Sequence, residues 1–155
     1  MKLKTICILL VFFLSVGLGY AQKVKIKKGI VYFDEVAILK SDSRKDTHSF
    51  YDLNGNEIIF LRFSIDSHYS DIVYFNIKFL NQKITIESSD YDYLALSYKQ
   101  SIVNIIKWFL KENVLTTSGK INTERLAVFQ YKYHEDISSK TGIYQKIDCD
   151  CDCNN

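Results

Sequence analysis

Apolar positions along the chain follow two periods, with the change near residue 90. The most regular stretch comes before it: Ile59, Leu61, Phe63 and Ile65 alternate with Phe60, Arg62, Ser64 and Asp66. A period of two over this length predicts a half-buried strand. The preceding segment, His48–Leu53, predicts its partner strand, because Asn54-Gly55 supplies residues that take positive φ at little cost. A two-residue loop there would set Asp52 opposite Glu57, and like charges across a ladder repel. A three-residue loop, Leu53-Asn54-Gly55 with Gly55 left-handed, sets Asp52 opposite Asn56 instead. That register also puts Phe50 opposite Ile58 and His48 opposite Phe60.

Other strands follow by the same reasoning. Lys23–Lys28 alternates Lys with Val24 and Ile26, a short strand with a basic solvent face of the kind that discourages edge pairing. Gly29 ends it. Ile30–Phe33 and Val36–Lys40 flank Asp34-Glu35 as a second hairpin. Ser41–Thr47, SDSRKDT, has no apolar period and reads as a surface loop. After a polar turn at Ser67–Ser70, the Asp71–Leu80 stretch carries Val73, Phe75, Ile77 and Phe79 on one face. Ile72, Tyr74, Asn76 and Lys78 take the other. Lys83–Glu87 then offers Ile84 and Ile86 as inward positions. Short connections between consecutive strands argue an antiparallel meander.

Beyond residue 90 the spacing becomes three and four. Tyr98, Ile102, Ile105, Ile106, Phe109 and Leu110 form one helical stripe ending near Asn113. Thr116–Lys120 connects to a second helix, which Asn122 or Thr123 caps and Glu124 favours electrostatically. Ile121, Leu126, Phe129 and Tyr133 give that helix its apolar side, and Ile143, Tyr144 and Ile147 suit a short terminal strand. The predicted fold is α+β: an antiparallel meander of five or six strands followed by two C-terminal helices packed on one sheet face. Ile102, Ile105, Phe109 and Phe129 then cover the stripes of 59–65 and 73–79, with Phe63 central.

The first residues change the meaning of the composition. Met1–Gln22 has basic Lys2 and Lys4, an apolar run from Ile6 to Leu18, and Gly19-Tyr20-Ala21 with small residues at the positions a signal peptidase inspects. The run is shorter than the roughly 20 residues a spanning helix needs, so residues 1–21 read as a secretory signal cut before Gln22. The chain has 20 basic and 18 acidic residues. The signal holds two of the bases and none of the acids, so the remainder balances, and net charge points to neither nucleic acid nor an acidic membrane surface. What remains suits one domain, 22–147, with residues 148–155 as a tail outside the fold. The implied location is periplasmic or extracellular.

Tyr51-Asp52-Leu53-Asn54-Gly55-Asn56 resembles one unit of a tyrosine–aspartate repeat, found in long secreted proteins, some of which bind carbohydrate; turn chemistry alone also yields these letters. More broadly, the signal ending in Ala-Gln, the Lys-rich first strand, the DLNGNEI hairpin and the Gly-Lys-Ile-Asn step into the last helix are similar to small exported bacterial proteins of no assigned function. That resemblance implies export and a one-domain α+β fold, and it implies no catalytic residue.

Chemistry is sparse. The sequence has no G-x-S-x-G elbow, phosphate-cradling glycine loop, H-E-x-x-H or C-x-x-C. Asp66, His68 and Asp71 cluster in one turn, where they suit either a divalent metal or simply a polar turn. Ser89-Asp90-Tyr91-Asp92-Tyr93 suits a ligand groove or a capped helix entry. Tyr32, Tyr51 and Tyr74 are expected on the sheet face the helices leave open, as a binding surface for a protein or glycan. The tail Asp148-Cys149-Asp150-Cys151-Asp152-Cys153 alternates acid and thiol. An odd number of thiols in an exported chain suits disulfide-linked dimers or weak soft-metal binding by Cys149, Cys151 and Cys153, with His134 completing a site. The expected function is an exported binding or interaction module with no cofactor beyond that metal; the alternative is a metal-binding or cross-linking thiol tail. Intact mass of the product exported by its native host is expected to match a chain beginning at Gln22, and a product retaining residues 1–21 would overturn the signal reading.

Overall fold

The structure, a computed structural model, describes residues 23–66, 72–89 and 97–141. Within them, seven strands form one antiparallel sheet in sequence order: β1 (Val24–Lys27), β2 (Ile30–Phe33), β3 (Val36–Arg44), β4 (Thr47–Tyr51), β5 (Glu57–Asp66), β6 (Ile72–Phe79) and β7 (Ile84–Ser88). Three helices follow, α1 (Tyr98–Lys111), α2 (Thr123–Tyr133) and the short α3 (Ile137–Thr141). The α+β meander is therefore as expected, with seven strands in place of five or six. The short Lys-rich β1 and β7 both join the sheet as its edges. A third helix follows the expected two, and Ile143, Tyr144 and Ile147 lie outside the described residues.

The hairpins follow local turn chemistry. Lys28-Gly29 and Asp34-Glu35 are two-residue loops with positive φ at both positions, the backbone twist that matches flanking strands. The expected surface loop at 41–47 is instead strand: β3 continues to Arg44, β4 starts at Thr47, and only Lys45-Asp46 turns. Its polar letters hid it because the β3–β4 ladder, rather than apolar burial, holds that end. The Asp52–Asn56 turn keeps the three-residue loop, with Gly55 at φ +98° and the Asp52 N–H donating to the Asn56 carbonyl at 2.8 Å. The Asp52 carboxylate accepts from the Asn56 N–H at 2.8 Å and its Nδ2 at 2.7 Å.

Past the turn the register departs from expectation. Tyr51 pairs with Glu57, then a bulge sets Phe50 opposite Ile59 and His48 opposite Leu61. Pairing Phe50 with Ile58 and His48 with Phe60 would have put one strand's core residues against the other's outward face, since a one-residue slip reverses every side chain. The bulge restores agreement: Phe50, Ile59 and Leu61 are all buried. A second bulge, between β2 and β3, sets Val31 opposite Leu39 and Tyr32 opposite Ala37.

One sheet face carries Val31, Leu39, Phe50, Ile59, Leu61, Phe75, Ile77, Phe79 and Ile86, which join Ile102, Ile105, Ile106, Trp108, Phe109, Leu126 and Phe129 in one core. Phe79 meets Phe109 at 5.4 Å between ring centres, and Phe75 meets Trp108 edge-on at 6.0 Å. Phe63 is half-buried at the border of this core, beside Tyr98, and is not its centre. Ser97 caps α1 and Asn122 caps α2, each side-chain oxygen accepting an N–H three residues on. α3 caps differently: Glu87 of β7 accepts the Ile137 and Ser138 N–H groups at 3.1 and 2.8 Å. The chain thus passes round the β7 edge, where the Glu135 N–H donates to the Glu87 carbonyl.

The α1–α2 connector fits through Gly119. Its φ is +79°, and a Cβ there would lie 2.1 Å from the Ile38 carbonyl oxygen, which is backbone and cannot swing aside. At Gly55 a Cβ would meet nothing within 4 Å. Gly55→Ala should therefore cost only the left-handed backbone penalty, about 1–2 kcal/mol, and Gly119→Ala clearly more. Urea unfolding of both variants checks this; equal losses would contradict the close approach at Ile38.

Candidate functional site

The two sides of the sheet present different chemistry. On the face opposite α1 and α2, the register forms cross-strand rows: Lys25 beside Tyr32; Lys27, Ile30, Lys40, Tyr51 and Glu57; then Asp42, Ser49, Phe60, Lys78 and Thr85. Each of the aromatics Tyr32, Tyr51 and Phe60 has a lysine directly across the ladder: Lys25, Lys40 and Lys78. The rings are half-buried, and Lys27, Lys40, Arg62 and Lys78 are exposed. Lys25 is committed to Glu35, at 2.6 Å, and this exposed contact holds the Glu35 carboxyl below its usual range. Balanced overall charge thus hides a locally basic, aromatic face.

Of the three tyrosines expected to share that face, Tyr32 and Tyr51 lie on neighbouring rows. Tyr74 is on the same side of the sheet but only 3% exposed, so it offers no surface. It also stands three rows beyond Tyr51, a distance of about 20 Å along the strands. That far corner is occupied by polar structure: Asn76 Nδ2 donates to Glu87 Oε1 at 2.9 Å beneath the start of α3.

The helix side holds a feature the sequence reading passed over. Where β3 and β4 approach their turn, a cavity of about 440 Å³ opens between the sheet and the first turns of α1. Ile26, Ser41, Ser43, His48, Tyr98 and Ile102 contribute to its walls, with Asp42, Lys99 and Gly29 also lining it. The strand pattern explains these neighbours: Ser43 lies directly across the ladder from His48, and Ser41 across from Phe50. Tyr98, the first residue of α1, donates its hydroxyl to the Thr47 carbonyl at 2.8 Å and so roofs the β3–β4 turn. Burial pushes its phenol up, partly offset by a hydrogen bond with Ser43.

His48 is the unusual member. It is 5% exposed, its ring centre lies 4.6 Å from that of Phe50 and 6.3 Å from that of Tyr98, and neither Nδ1 nor Nε2 has a hydrogen-bond partner. Burial lowers its pKa to about 4, against a smaller opposing pull from Asp42. The imidazole is therefore neutral at physiological pH, with one donor and one acceptor nitrogen. Its signal in the sequence was parity: His48 and Phe50 occupy alternate positions of one strand, on the side of Ile59 and Leu61.

The remaining site residues fall as follows. His134 caps α2, and its Nδ1 accepts the Glu87 N–H at 3.1 Å, which leaves Nε2 for any further ligand. Asp66 is the last residue of β5, while His68 and Asp71 lie outside the described residues, as do Cys149, Cys151 and Cys153. Of Ser89–Tyr93 only Ser89 is described; its N–H and hydroxyl both donate to the Glu135 carboxylate. Among the described residues no group of three or more His, Cys, Asp and Glu side chains gathers to hold a metal. No helix there is long and apolar enough to cross a membrane. No family model, curated protein or solved structure matches the chain.

The buried imidazole makes stability depend on pH. Its folded pKa of about 4 lies below the ordinary histidine value of about 6.5. The unfolded chain therefore binds the extra proton first as pH falls, and stability drops between about pH 6.5 and 4. The loss attributable to His48 is on the order of 3 kcal/mol. Urea unfolding across this window should show the slope in the parent and a shallower one in His48→Phe; identical slopes would mean that His48 titrates as an exposed residue.

Proposed function

We propose that the chain is an exported binding module that engages an acidic glycan across its open sheet face. The single observation behind this reading is the repeated cross-strand pairing of lysine with an aromatic ring, Lys25 with Tyr32, Lys40 with Tyr51 and Phe60 with Lys78. Half-buried rings on a sheet face offer apolar contact to sugar rings, and the exposed ammonium groups of Lys40 and Lys78 beside them suit carboxylates or sulfates on the same polymer. Lys27 and Arg62 extend the basic field on the same side. Export rests on the Met1–Gln22 segment, and the lysines of the edge strand β1 discourage that edge from pairing with other strands.

Binding is favoured over reaction because the serines facing His48 make no hydrogen bond to it. A nucleophile and its base must lie within hydrogen-bond reach, and a base of pKa near 4 is poorly matched to neutral pH.

Retention on immobilised polygalacturonate, with neutral dextran and single-stranded DNA as comparisons, tests the proposal. The chain should bind the polyuronate, weaken with added salt, and lose about tenfold in affinity when Lys40 and Lys78 are both changed to Glu. Equal retention on dextran, unchanged binding by the double variant, or a preference for DNA would each reject it.

A further inference from the structure

We propose that the cavity between β3, β4 and the start of α1 is a binding site for a small, uncharged, hydroxyl-bearing ligand of monosaccharide size, with His48 as its central hydrogen-bonding group. The site lies on the helix side of the sheet, so it stands independently of the open face.

The geometry carries the assignment. A volume of about 440 Å³ falls within the roughly 300–1,000 Å³ typical of small-ligand pockets. Buried polar groups are normally satisfied, because leaving one unpaired forfeits its hydrogen bonds to water with no replacement. Here both nitrogens of a 95%-buried imidazole lack a partner, and the residue lines a cavity large enough to hold one; the nitrogens themselves are covered, so a ligand reaches them by turning the ring. Ser41 adds a hydroxyl that both donates and accepts, and the Ser43 oxygen, whose proton goes to the Tyr98 oxygen, still accepts. Ile26 and Ile102 supply apolar walls for the carbon face of a ring. A few convergent polar groups against apolar walls is the usual composition of such sites.

The same residues exclude other chemical classes. An apolar ligand would leave both imidazole nitrogens unsatisfied. A cation would find only Asp42, which is exposed and already 3.5 Å from the Arg44 Nε. An anion would favour the protonated imidazole, which burial opposes, and Lys99 contributes only an exposed, screened charge at the rim. A neutral polyol can accept from one ring nitrogen and donate to the other, with no change in protonation.

The test follows the imidazole nitrogens by NMR in the full chain at neutral pH during titration with D-glucose, N-acetyl-D-glucosamine and D-glucuronate. At least one neutral sugar should shift both ring-nitrogen resonances of His48 saturably, and His48→Phe should weaken that binding about tenfold or more. His48→Gln, which keeps a donor and an acceptor, should retain part of it. Because the wild-type resonances report directly, the result stands even if His48→Phe does not fold. No shift with any of the three sugars would overturn the site. A shift with D-glucuronate alone would overturn the ligand class, and full affinity in His48→Phe would overturn the role of the imidazole. The Lys40→Glu, Lys78→Glu double variant should bind the neutral sugar as the parent does; loss there would mean that the sugar sits on the open face instead.

Discussion

Trp108 stands where the sheet and the two longer helices meet. Its indole packs against Phe75 of the sheet, lies 4.6 Å from the Phe129 ring and 4.7 Å from the Tyr133 ring of α2, and is fully buried. α2 depends on this contact more than α1 does, because it buries only Leu126 and Phe129 outright. Tyr133 is tied in from both sides: it meets Trp108 edge-on and donates to Glu112 at the end of α1, at 2.8 Å. Both helices are thereby committed to one face of the sheet, and they do not cover the other.

That commitment divides the molecule chemically. Beneath Trp108 and Phe109 the covered face is filled with aromatic and branched side chains. Towards the β3–β4 turn, Ser41 and Ser43 stand where apolar residues would continue the pattern, and the packing gives way to a cavity around a neutral histidine. On the uncovered face the alternation delivers lysines and half-buried rings. The same period of two produces the core, the cavity wall and the basic surface; only the cover differs.

Much of this was legible in the letters. Alternation in 59–65 and 73–79, the Asp34-Glu35 and Asn54-Gly55 turns, the Asn122 cap and the helical stripe from Tyr98 all correspond to observed elements. The misread features share a physical cause. Both bulges fall at adjacent apolar pairs, Ile38-Leu39 and Ile58-Ile59, where a strict period of two leaves one residue over. The Ser41–Arg44 strand is polar because ladder hydrogen bonds hold it. Trp108, adjacent to a stripe residue, widens the buried face of α1 beyond one row. His48 belonged to the core side by parity, but no letter tells whether a buried imidazole has found a partner; that depends on α1 returning over β4. Tyr74 lies on the expected side of the sheet, but at 3% exposure it offers no surface, which its letter alone does not tell.

The unbroken strand order has a consequence for how the chain acquires its shape. Every ladder joins neighbours in sequence, so each hairpin can close over a short loop at small entropic cost, and the sheet can grow strand by strand from its N-terminal end. The contact of α1 with β1 is different, because it joins the two ends of the meander across most of the domain's sequence. Tyr98 reaching Thr47, and Ile26 and Ile102 lining one cavity, are likewise distant in sequence. The pocket around His48 thus rests on long-range contacts alone, and local opening of the first turn of α1 would unmake it while leaving the meander paired.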